Sequence, residues 1–396
     1  MKDAAHELLI YAWSHPVALL FAEATRRLGD IVDVPFVGRV VNQPDLARAI
    51  LSDDDNFSKT GPGSFGVLIT QVMGRKALLN MDGEEHMALR SKLTELFSPA
   101  YLEIVEREVL SPPIEELRCR LAAGECVDIV RFAQLLTGRT TWHMLGFAQP
   151  DHDGESDYLR VFGLTRQLTG SIRLSTRKLS PGQVAAKRRA FEQMTAPVAT
   201  AYAGGGLPER SVIARLQQLG VTADEARGVV ASILIAGTET VTTAVPRAIA
   251  LLIDSGQQSV LRAEPKLLQG AVDEALRVTV PTPVNVRRVA HDCEVHGVRF
   301  TAGDRVMLLT YNIVKHGASY PRPRRFDIRR QHPPSARNLW FGAGHHFCLG
   351  FALAQREMKL VLSAIASLPG ELQVRHRSYA RGSLIPGYSR LEVQVR

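Results

Sequence analysis

The feature that most constrains the fold is a long apolar helix predicted in the second half of the chain. Thr222-Ala-Asp-Glu225 is a capping box, apolar residues then cover nearly every face as far as Ile253, and Gly256 follows as a stop signal. At about 1.5 Å per residue, such a helix is about 50 Å long. Because a helix that is apolar on all sides has to be buried, we expect it at the centre of the protein.

Inside this helix, the segment Ala236-Gly-Thr-Glu-Thr240 breaks the local rules of helix formation. Gly237 costs about 1 kcal/mol in a helix interior, and the two threonines can bond back to carbonyls one turn earlier. Glu239 places a carboxylate in an apolar run, and Pro246 adds a second irregularity. Rule-breaking residues in a buried element usually serve function. The alternative is a helix bend with a salt-bridged glutamate.

A second candidate site is the loop Asn338-Leu-Trp-Phe-Gly-Ala-Gly-His-His-Phe-Cys-Leu-Gly350, which leads into a helical run over 351–360. Cys348 would lie at the start of that helix, where partial positive charge favours a thiolate and lowers the pKa. Gly344 and Gly350 allow tight turns, and aromatic residues flank the thiol. The pattern predicts a cradle for a flat, bulky cofactor, with an inert buried cysteine as the alternative.

The spacing F-G-x-G-x-H-x-C-x-G resembles the haem-binding signature of the cytochrome P450 family. It is carried here by Phe341, Gly342, Gly344, His346, Cys348 and Gly350. The resemblance implies that Cys348 is the axial thiolate ligand of the iron of haem b. It also implies a mainly α fold with a smaller β region, a single domain over 1–396, and haem between the long helix and the cysteine loop. Gln355 departs from the family, which more often has arginine there.

The irregular segment of the long helix resembles the same family's oxygen-activation motif, A/G-G-x-D/E-T. By that resemblance Ala236 and Gly237 open the helix, Glu239 is the acid, and Thr240 supplies the hydroxyl of a proton relay. Cleavage of an O–O bond needs two protons delivered in a site that otherwise excludes water.

Three basic residues match the family's binding positions for the haem propionates. His86 and Arg90 are predicted one turn apart on a helix capped by Asp82 or Gly83, and Arg287 follows an extended segment. The resemblance assigns all three to the propionates. A solvent-exposed pair is the alternative for His86 and Arg90.

Glu274 and Arg277 match the family's Glu-x-x-Arg pair, and Pro323-Arg-Arg-Phe326 resembles the later segment that closes it, with Arg325 as the third member. The resemblance implies a structural role for this trio, which fixes the fold of the cysteine loop. Val314-Lys-His316 stands where relatives commonly have Asn-Arg-Asp.

Apolar residues in three segments resemble the substrate-pocket walls of the family, although an ordinary core role is about equally good for those of the first segment, which ends at Leu79. They are Phe65, Val67, Leu78, Pro283, Val284, Val286, Leu384 and Ile385.

Secondary structure outside these motifs follows from periodicity and breakers. Helices are predicted at 45–51 and 265–277 and across most of 101–217, and strands at 39–41, 294–299, 305–309 and 391–395. The apolar segment from Gly61 to Leu79 is predicted to be a loop.

The resemblance implies a monooxygenase that inserts one oxygen atom of O2 into an apolar small molecule. Electrons would come from NAD(P)H through a separate ferredoxin and ferredoxin reductase, or a flavodoxin-type donor, because the chain has no flavin or iron–sulfur motif. Arg356 and Lys359 are predicted to dock an acidic ferredoxin. A peroxide-driven peroxygenase and a non-catalytic haem-thiolate sensor are the alternatives.

Composition excludes few other classes. The net charge of +8 raises the question of nucleic acid, but no nucleic-acid-binding motif accompanies it. Cys119, Cys126 and Cys293 have no disulfide or metal-knuckle spacing, which favours the cytoplasm. The apolar run Leu8–Ala24 is broken by Ser14, His15 and Pro16 and is shorter than the ~20 residues of a membrane span. We expect a monomer without a membrane span.

Overall fold

The protein is described here from a computed structural model that covers residues 2–60, 66–74, 76–148, 154–169, 179–204 and 207–396. The helices dominate these ranges. The α-helices are α1 (Lys2–Ser14), α2 (Pro16–Leu28), α3 (Pro44–Ser52), α4 (Gly66–Met73), α5 (Gly83–Leu93), α6 (Pro99–Val105), α7 (Ser111–Ala122), α8 (Ile129–Leu145), α9 (Glu155–Thr169), α10 (Pro181–Gly204), α11 (Val212–Gln218), α12 (Ala223–Ser255), α13 (Gln258–Ala263), α14 (Leu268–Thr279), α15 (Thr310–Ile313) and α16 (Phe351–Ala366).

Short helical turns of other types connect some of these helices. The 3-10 turns are Leu78–Asn80, Thr94–Phe97, Pro265–Leu267, Leu339–Phe341 and Gly344–His346, and the π-helical segment is Glu106–Leu110.

The strands are fewer and form three small sheets. They are β1 (Ile31–Val34), β2 (Gly38–Val41), β3 (Phe57–Ser58), β4 (Val127–Asp128), β5 (Asn285–Val289), β6 (Cys293–Val295), β7 (Val298–Phe300), β8 (Arg305–Leu308), β9 (Leu372–Tyr379) and β10 (Tyr388–Val395). One sheet has the order β1-β2-β8-β5-β3, the second is β4-β10-β9, and β6 pairs with β7. Only the β2–β8 pair is parallel among these described strands. The prediction of a mainly helical fold with a smaller β region is confirmed.

Backbone contacts group the chain into two compact units. The strand-bearing unit consists of Met1–Ser58, Ser111–Ala133 and Thr240–Arg396, and the helical unit of Lys59–Leu110 and Gln134–Glu239. All strands of the described ranges belong to the strand-bearing unit. The single domain over 1–396 stays a prediction.

The capping box of the long helix is confirmed. Thr222 N donates to Glu225 Oε2 at 3.3 Å, and Glu225 N donates to Thr222 Oγ1 at 3.4 Å. Gly256 ends the helix with φ 69°, a left-handed conformation that favours glycine. Among the described helices, α12 alone is long and apolar enough to cross a bilayer, but 67% of its most apolar stretch is buried, as in the core helix of a globular protein.

The N-terminal apolar run forms two helices. Pro16 occupies the first turn of α2, where its missing N–H costs no hydrogen bond, and His15 separates α2 from α1. A core cluster of buried side chains packs the N-terminal helices against the five-stranded sheet. It consists of Tyr11, Ala22, Val40, Met307, Leu309 and Tyr311.

Arg247 anchors the connection between β9 and β10 to the second half of α12. Its side chain is fully buried, and its guanidinium donates Nη1 to Pro386 O at 3.0 Å and Nε to Glu7 Oε1 at 3.2 Å. A buried ion pair that also satisfies a main-chain carbonyl is costly to break. This contact fixes the loop that carries Leu384 and Ile385 and joins the antiparallel strands β9 and β10.

Two local predictions are wrong. The strand predicted at 294–299 is the hairpin formed by β6 and β7, which pair antiparallel. The segment predicted to be a loop between Gly61 and Leu79 contains α4 and the start of a 3-10 turn. Residues 66–73 form helical backbone hydrogen bonds although no capping residue in the sequence marks the start of the helix. Residues 61–65 and 75 lie outside the described residues.

Candidate functional site

The cysteine loop is held by its own backbone. Cys348 N donates to Phe341 O at 3.0 Å, and Phe347 N donates to Gly344 O at 3.0 Å. Phe351 N, the first of α16, donates to Cys348 O at 3.3 Å. Gly350 provides no side-chain cap for α16, and Cys348 precedes the positive N-terminal end of this helix by three residues.

Two glycines of the loop are required by conformation. Gly342 and Gly344 have φ of 82° and 66°, and a Cβ on Gly344 would lie 2.3 Å from Leu51 O. Gly350 does lie in a tight turn, closed by the Phe351 N to Cys348 O hydrogen bond, but its φ of −83° is open to any residue, so the turn itself does not require glycine. A Cβ at Gly350 would lie 4.0 Å from Cys348 Sγ, in van der Waals contact with the thiol.

Aromatic rings form one side of the loop. The ring of Phe341 lies 6.2 Å from that of Phe347 and 4.9 Å from that of Phe351, and the latter two are 5.2 Å apart. Cys348 and His346 are half-buried beside them. The loop therefore presents a single thiol in partly apolar surroundings.

In the helical unit, Glu239 is a buried acid. Its side chain is 8% exposed, and Thr169 Oγ1 at the end of α9 lies 3.3 Å from Glu239 Oε1, in position to donate a hydrogen bond. Burial raises the pKa of Glu239, and the charge of Arg166 and the Thr169 hydroxyl lower it only in part. Glu239 therefore retains its proton to a higher pH than a surface glutamate.

The predicted opening of α12 is not a break in the helix. Residues 223–255 are helical throughout, and Thr238 Oγ1 donates to Leu234 O at 2.7 Å. At residues 236–240, few atoms pack against one side of the helix. Ala236 is exposed, and the nearest described atom to a Cβ placed on Gly237 would be Thr141 Oγ1, at 3.9 Å. Helix propensity lost at Gly237 is offset by tertiary packing on the remaining faces.

The three predicted anion-binding residues lie on regular elements. Asp82 caps α5, accepting from Gly83 N at 3.1 Å, which places His86 and Arg90 one turn apart. His86 is 3% exposed and Arg90 half-buried, so the solvent-exposed pair is wrong. Arg287 in β5 pairs across to β8 and is 3% exposed.

The Glu-x-x-Arg prediction is correct for two residues and wrong for the third. Arg277 Nε and Nη2 donate to the two oxygens of Glu274 at 2.6 and 2.8 Å, with both side chains fully buried. The third guanidinium is that of Arg330, whose Nε lies 2.9 Å from Glu274 Oε1. Arg325 contributes only its carbonyl oxygen, which accepts from Arg330 Nη2 at 2.9 Å, and its side chain is exposed.

The predicted pocket walls are only partly accounted for. Leu78, Val286 and Ile385 are buried, and Pro283 and Leu384 are half-buried. Val284 packs against the core cluster at α2. This packing explains its burial without a role in a substrate pocket. Phe65 and the side chain of Val67 lie outside what the structure describes.

Sequence reasoning missed several residues of these sites. Thr169 and Arg166 come from a helix 70 residues before Glu239, and no local signal marks them. Gln355, noted only as a departure, donates to Asp273 Oδ1 at 3.0 Å and joins α16 to α14. Glu357 is 1% exposed, and burial raises its pKa to about 8.

Comparisons with known proteins agree with this geometry. A family model described as Cytochrome P450 matches residues 211–367. Luteothin monooxygenase of Streptomyces thioluteus is 30% identical over 76% of this chain and 74% of its own length. Vitamin D3 dihydroxylase of Streptomyces griseolus is 29% identical over 82% and 79% of the two chains. The crystal structure of CalO2 superposes with a TM-score of 0.80 at 26% identity, covering 96% of both chains.

The ion network generates the first prediction. Arg330→Gln should lower the free energy of unfolding by about 3 kcal/mol. This is the lower end of the cost of breaking a buried ion pair, because Arg277 still pairs with Glu274 in the variant. The matched variant Arg325→Gln should change it by less than about 0.5 kcal/mol, since only its carbonyl takes part. Equal losses in denaturant unfolding of the two variants would contradict the assignment of Arg330.

The buried carboxyl of α16 generates a second prediction. With a folded pKa of about 8 and an ordinary unfolded value, Glu357 holds a proton in the folded state that the unfolded state releases. Between these values its contribution to stability falls as pH rises, by about 1.4 kcal/mol per pH unit.

Glu357→Gln should remove this slope. The measurement is the difference in unfolding free energy between wild type and variant from pH 5 to 8, with the exposed Glu371→Gln as control. A difference that stays constant over this range would show that Glu357 is not protonated in the folded protein.

Proposed function

Because the chain belongs to the cytochrome P450 family, we propose that it inserts one oxygen atom of O2 into an apolar small organic substrate. It is an oxidoreductase of this family, whose fold implies a haem cofactor. The proposal covers the finer points: haem b as the cofactor, hydroxylation or a related oxidation as the reaction, and a soluble cytoplasmic monomer. Two relatives named as a monooxygenase and a dihydroxylase support oxygen insertion.

The cysteine loop fits a haem ligand in chemistry and access. Cys348 would hold the iron through its thiolate sulfur, a ligand type that haem iron accepts. Two contacts with haem are predicted, one on α12 and one at the cysteine loop. Ala236 is exposed on α12, and Gly350 adds no side chain next to Cys348, so both places offer surface for a flat cofactor. Bound there, haem would supply the binding and reductive activation of dioxygen.

The chain's own residues then have separate tasks. Cys348 offers the thiolate, shortly before the positive N-terminal end of α16, which favours its charge. We assign His86, Arg90 and Arg287 to the two propionates, since guanidinium and imidazolium groups pair with carboxylates. The loop residues Phe341, Gly342, Gly344, His346 and Gly350 support the cofactor from the cysteine side.

The observation that carries the proposal is the environment of Glu239. A carboxyl that is 8% exposed, with its pKa raised by burial, retains its proton to a higher pH than a surface glutamate. The hydroxyl of Thr169 orients it from one side, and Thr240 follows it in the helix. We propose that Glu239 holds the proton and that the Thr240 hydroxyl delivers it.

This acid and alcohol pair favours the monooxygenase over the two alternatives. A sensor has no need of proton delivery, and a peroxide-driven enzyme receives its oxygen already reduced. We therefore propose electrons from NAD(P)H through a ferredoxin and ferredoxin reductase, or a flavodoxin-type donor. Arg356 and Lys359, both half-buried in α16, remain the proposed docking residues.

The proposed function is tested by the carbon-monoxide difference spectrum of the reduced protein. Wild type and the exposed-cysteine control Cys126→Ser should give the strongly red-shifted Soret band of thiolate-bound haem, and Cys348→Ser should lose it. A red-shifted band in Cys348→Ser would overturn the ligand assignment. Product formed with peroxide, and none with NADH, ferredoxin and reductase, would favour the peroxygenase.

The proton relay generates its own prediction. Thr240→Ala should lower the product formed per NADH oxidised by about ten-fold or more, with the electrons recovered as hydrogen peroxide. Thr238→Ala, which removes a hydroxyl already bonded to Leu234 O, is the matched control and should stay coupled. Full coupling in Thr240→Ala would exclude this hydroxyl from proton delivery.

A further inference from the structure

A small cavity in the strand-bearing unit lies beside α2 and α15. Its volume is ≈ 200 Å³, and its lining residues are Glu23, Arg26, Tyr311, Lys315, Arg322, Pro323, Arg324 and Arg325. Sites for drug-sized ligands have volumes of about 300–1,000 Å³. The cavity therefore suits one small chemical group.

The lining carries a strong excess of positive charge. Four arginines and one lysine face a single carboxylate, that of Glu23. Glu23 is already paired, with Arg26 Nη2 at 2.8 Å and Arg324 Nη2 at 2.5 Å. Burial raises the pKa of Glu23, but the Arg26 hydrogen bond and the charge of Arg324 outweigh it and lower that pKa. The remaining cations are not neutralised by Glu23.

Lys315 lies at the base of the cavity. It is 6% exposed, its Nζ donates to Val278 O at 3.3 Å, and the ammonium stands 3.9 Å from the centroid of the Tyr311 ring. Among the described carboxylates, none forms an ion pair with it. An ammonium buried without an anion destabilises the folded protein. Burial, followed by the charge of Arg277, lowers the pKa of Lys315 well below its usual value.

The rim of the cavity is held in place by the buried ion network. Arg277 Nη1 donates to Pro323 O at 2.8 Å, and Arg330 Nη2 donates to Arg322 O at 3.3 Å. Arg322 has φ 49°, a left-handed conformation that costs a non-glycine residue energy, and Arg325 N donates to its carbonyl at 3.0 Å. The backbone that carries the rim arginines is therefore ordered before any ligand arrives.

We propose that this cavity binds a phosphate group, with Lys315 at its base and Arg322 and Arg325 at its rim. Guanidinium forks match the geometry of phosphate oxygens, and a buried ammonium supplies a point charge to the same group. The volume fits inorganic phosphate or the terminal monoester of a larger molecule.

The experiment is calorimetric titration of the haem-loaded protein with inorganic phosphate at constant ionic strength, set with chloride. Lys315→Met, which keeps an apolar stem at the base, should weaken phosphate binding at least about ten-fold. Arg325→Gln should weaken it about two- to five-fold, as expected for an exposed charge. The exposed Arg375→Gln in β9 carries the same charge change and should bind phosphate like the wild type.

Methyl phosphate distinguishes the two sources of the group. Binding of both probes would identify a monoester site, and binding of inorganic phosphate with exclusion of methyl phosphate a free-phosphate site. Phosphate should also raise the melting temperature of the wild type more than that of Lys315→Met. The proposal is overturned if no binding is measured, if chloride competes equally, or if all three variants lose affinity alike.

Discussion

The buried ion network of Glu274, Arg277 and Arg330 is the interaction on which the chain between α15 and the cysteine loop depends. This segment has little regular secondary structure, so its carbonyl groups need partners from elsewhere. The two guanidiniums supply them, at Val314, Pro321, Arg322, Pro323 and Arg325. Because three desolvated charges are tolerated only when every donor is satisfied, the network selects one path for the chain that leads to Cys348.

Desolvation is the common cause of the unusual ionisable groups in this protein. Burial raises the pKa of Glu239 and Glu357 and lowers that of Lys315. In each case the charged form loses hydration that the surroundings replace only in part. The consequences differ with position. Glu239 can hold a proton beside Thr240, Glu357 couples the stability of α16 to pH, and Lys315, at the base of a basic cavity, has no ion-pair partner among the described carboxylates.

Sequence patterns predicted what depends on neighbours along the chain. The capping box of α12, the cysteine loop with its positive-φ glycines and the Glu274–Arg277 pair are all contained within a few residues, and all are found in the structure. A prediction was wrong where two arginines from neighbouring segments could each contact the same carboxylate. Arg330 and not Arg325 contacts Glu274, because the turn at 326–330 brings the later side chain back to the carboxylate.

The sequence by itself determined the long helix with its capping box, the cysteine loop and the Glu274–Arg277 pair, since helix signals and motif spacing are short-range properties of the chain. Only the tertiary structure decided which side chains share a carboxylate, which polar groups lose their water and which cations gather around one cavity. Thr169 reaches Glu239 across 70 residues, and Lys315 meets Glu23 and Arg26 across nearly 300. Such encounters depend on packing and desolvation, which no local pattern of residues encodes.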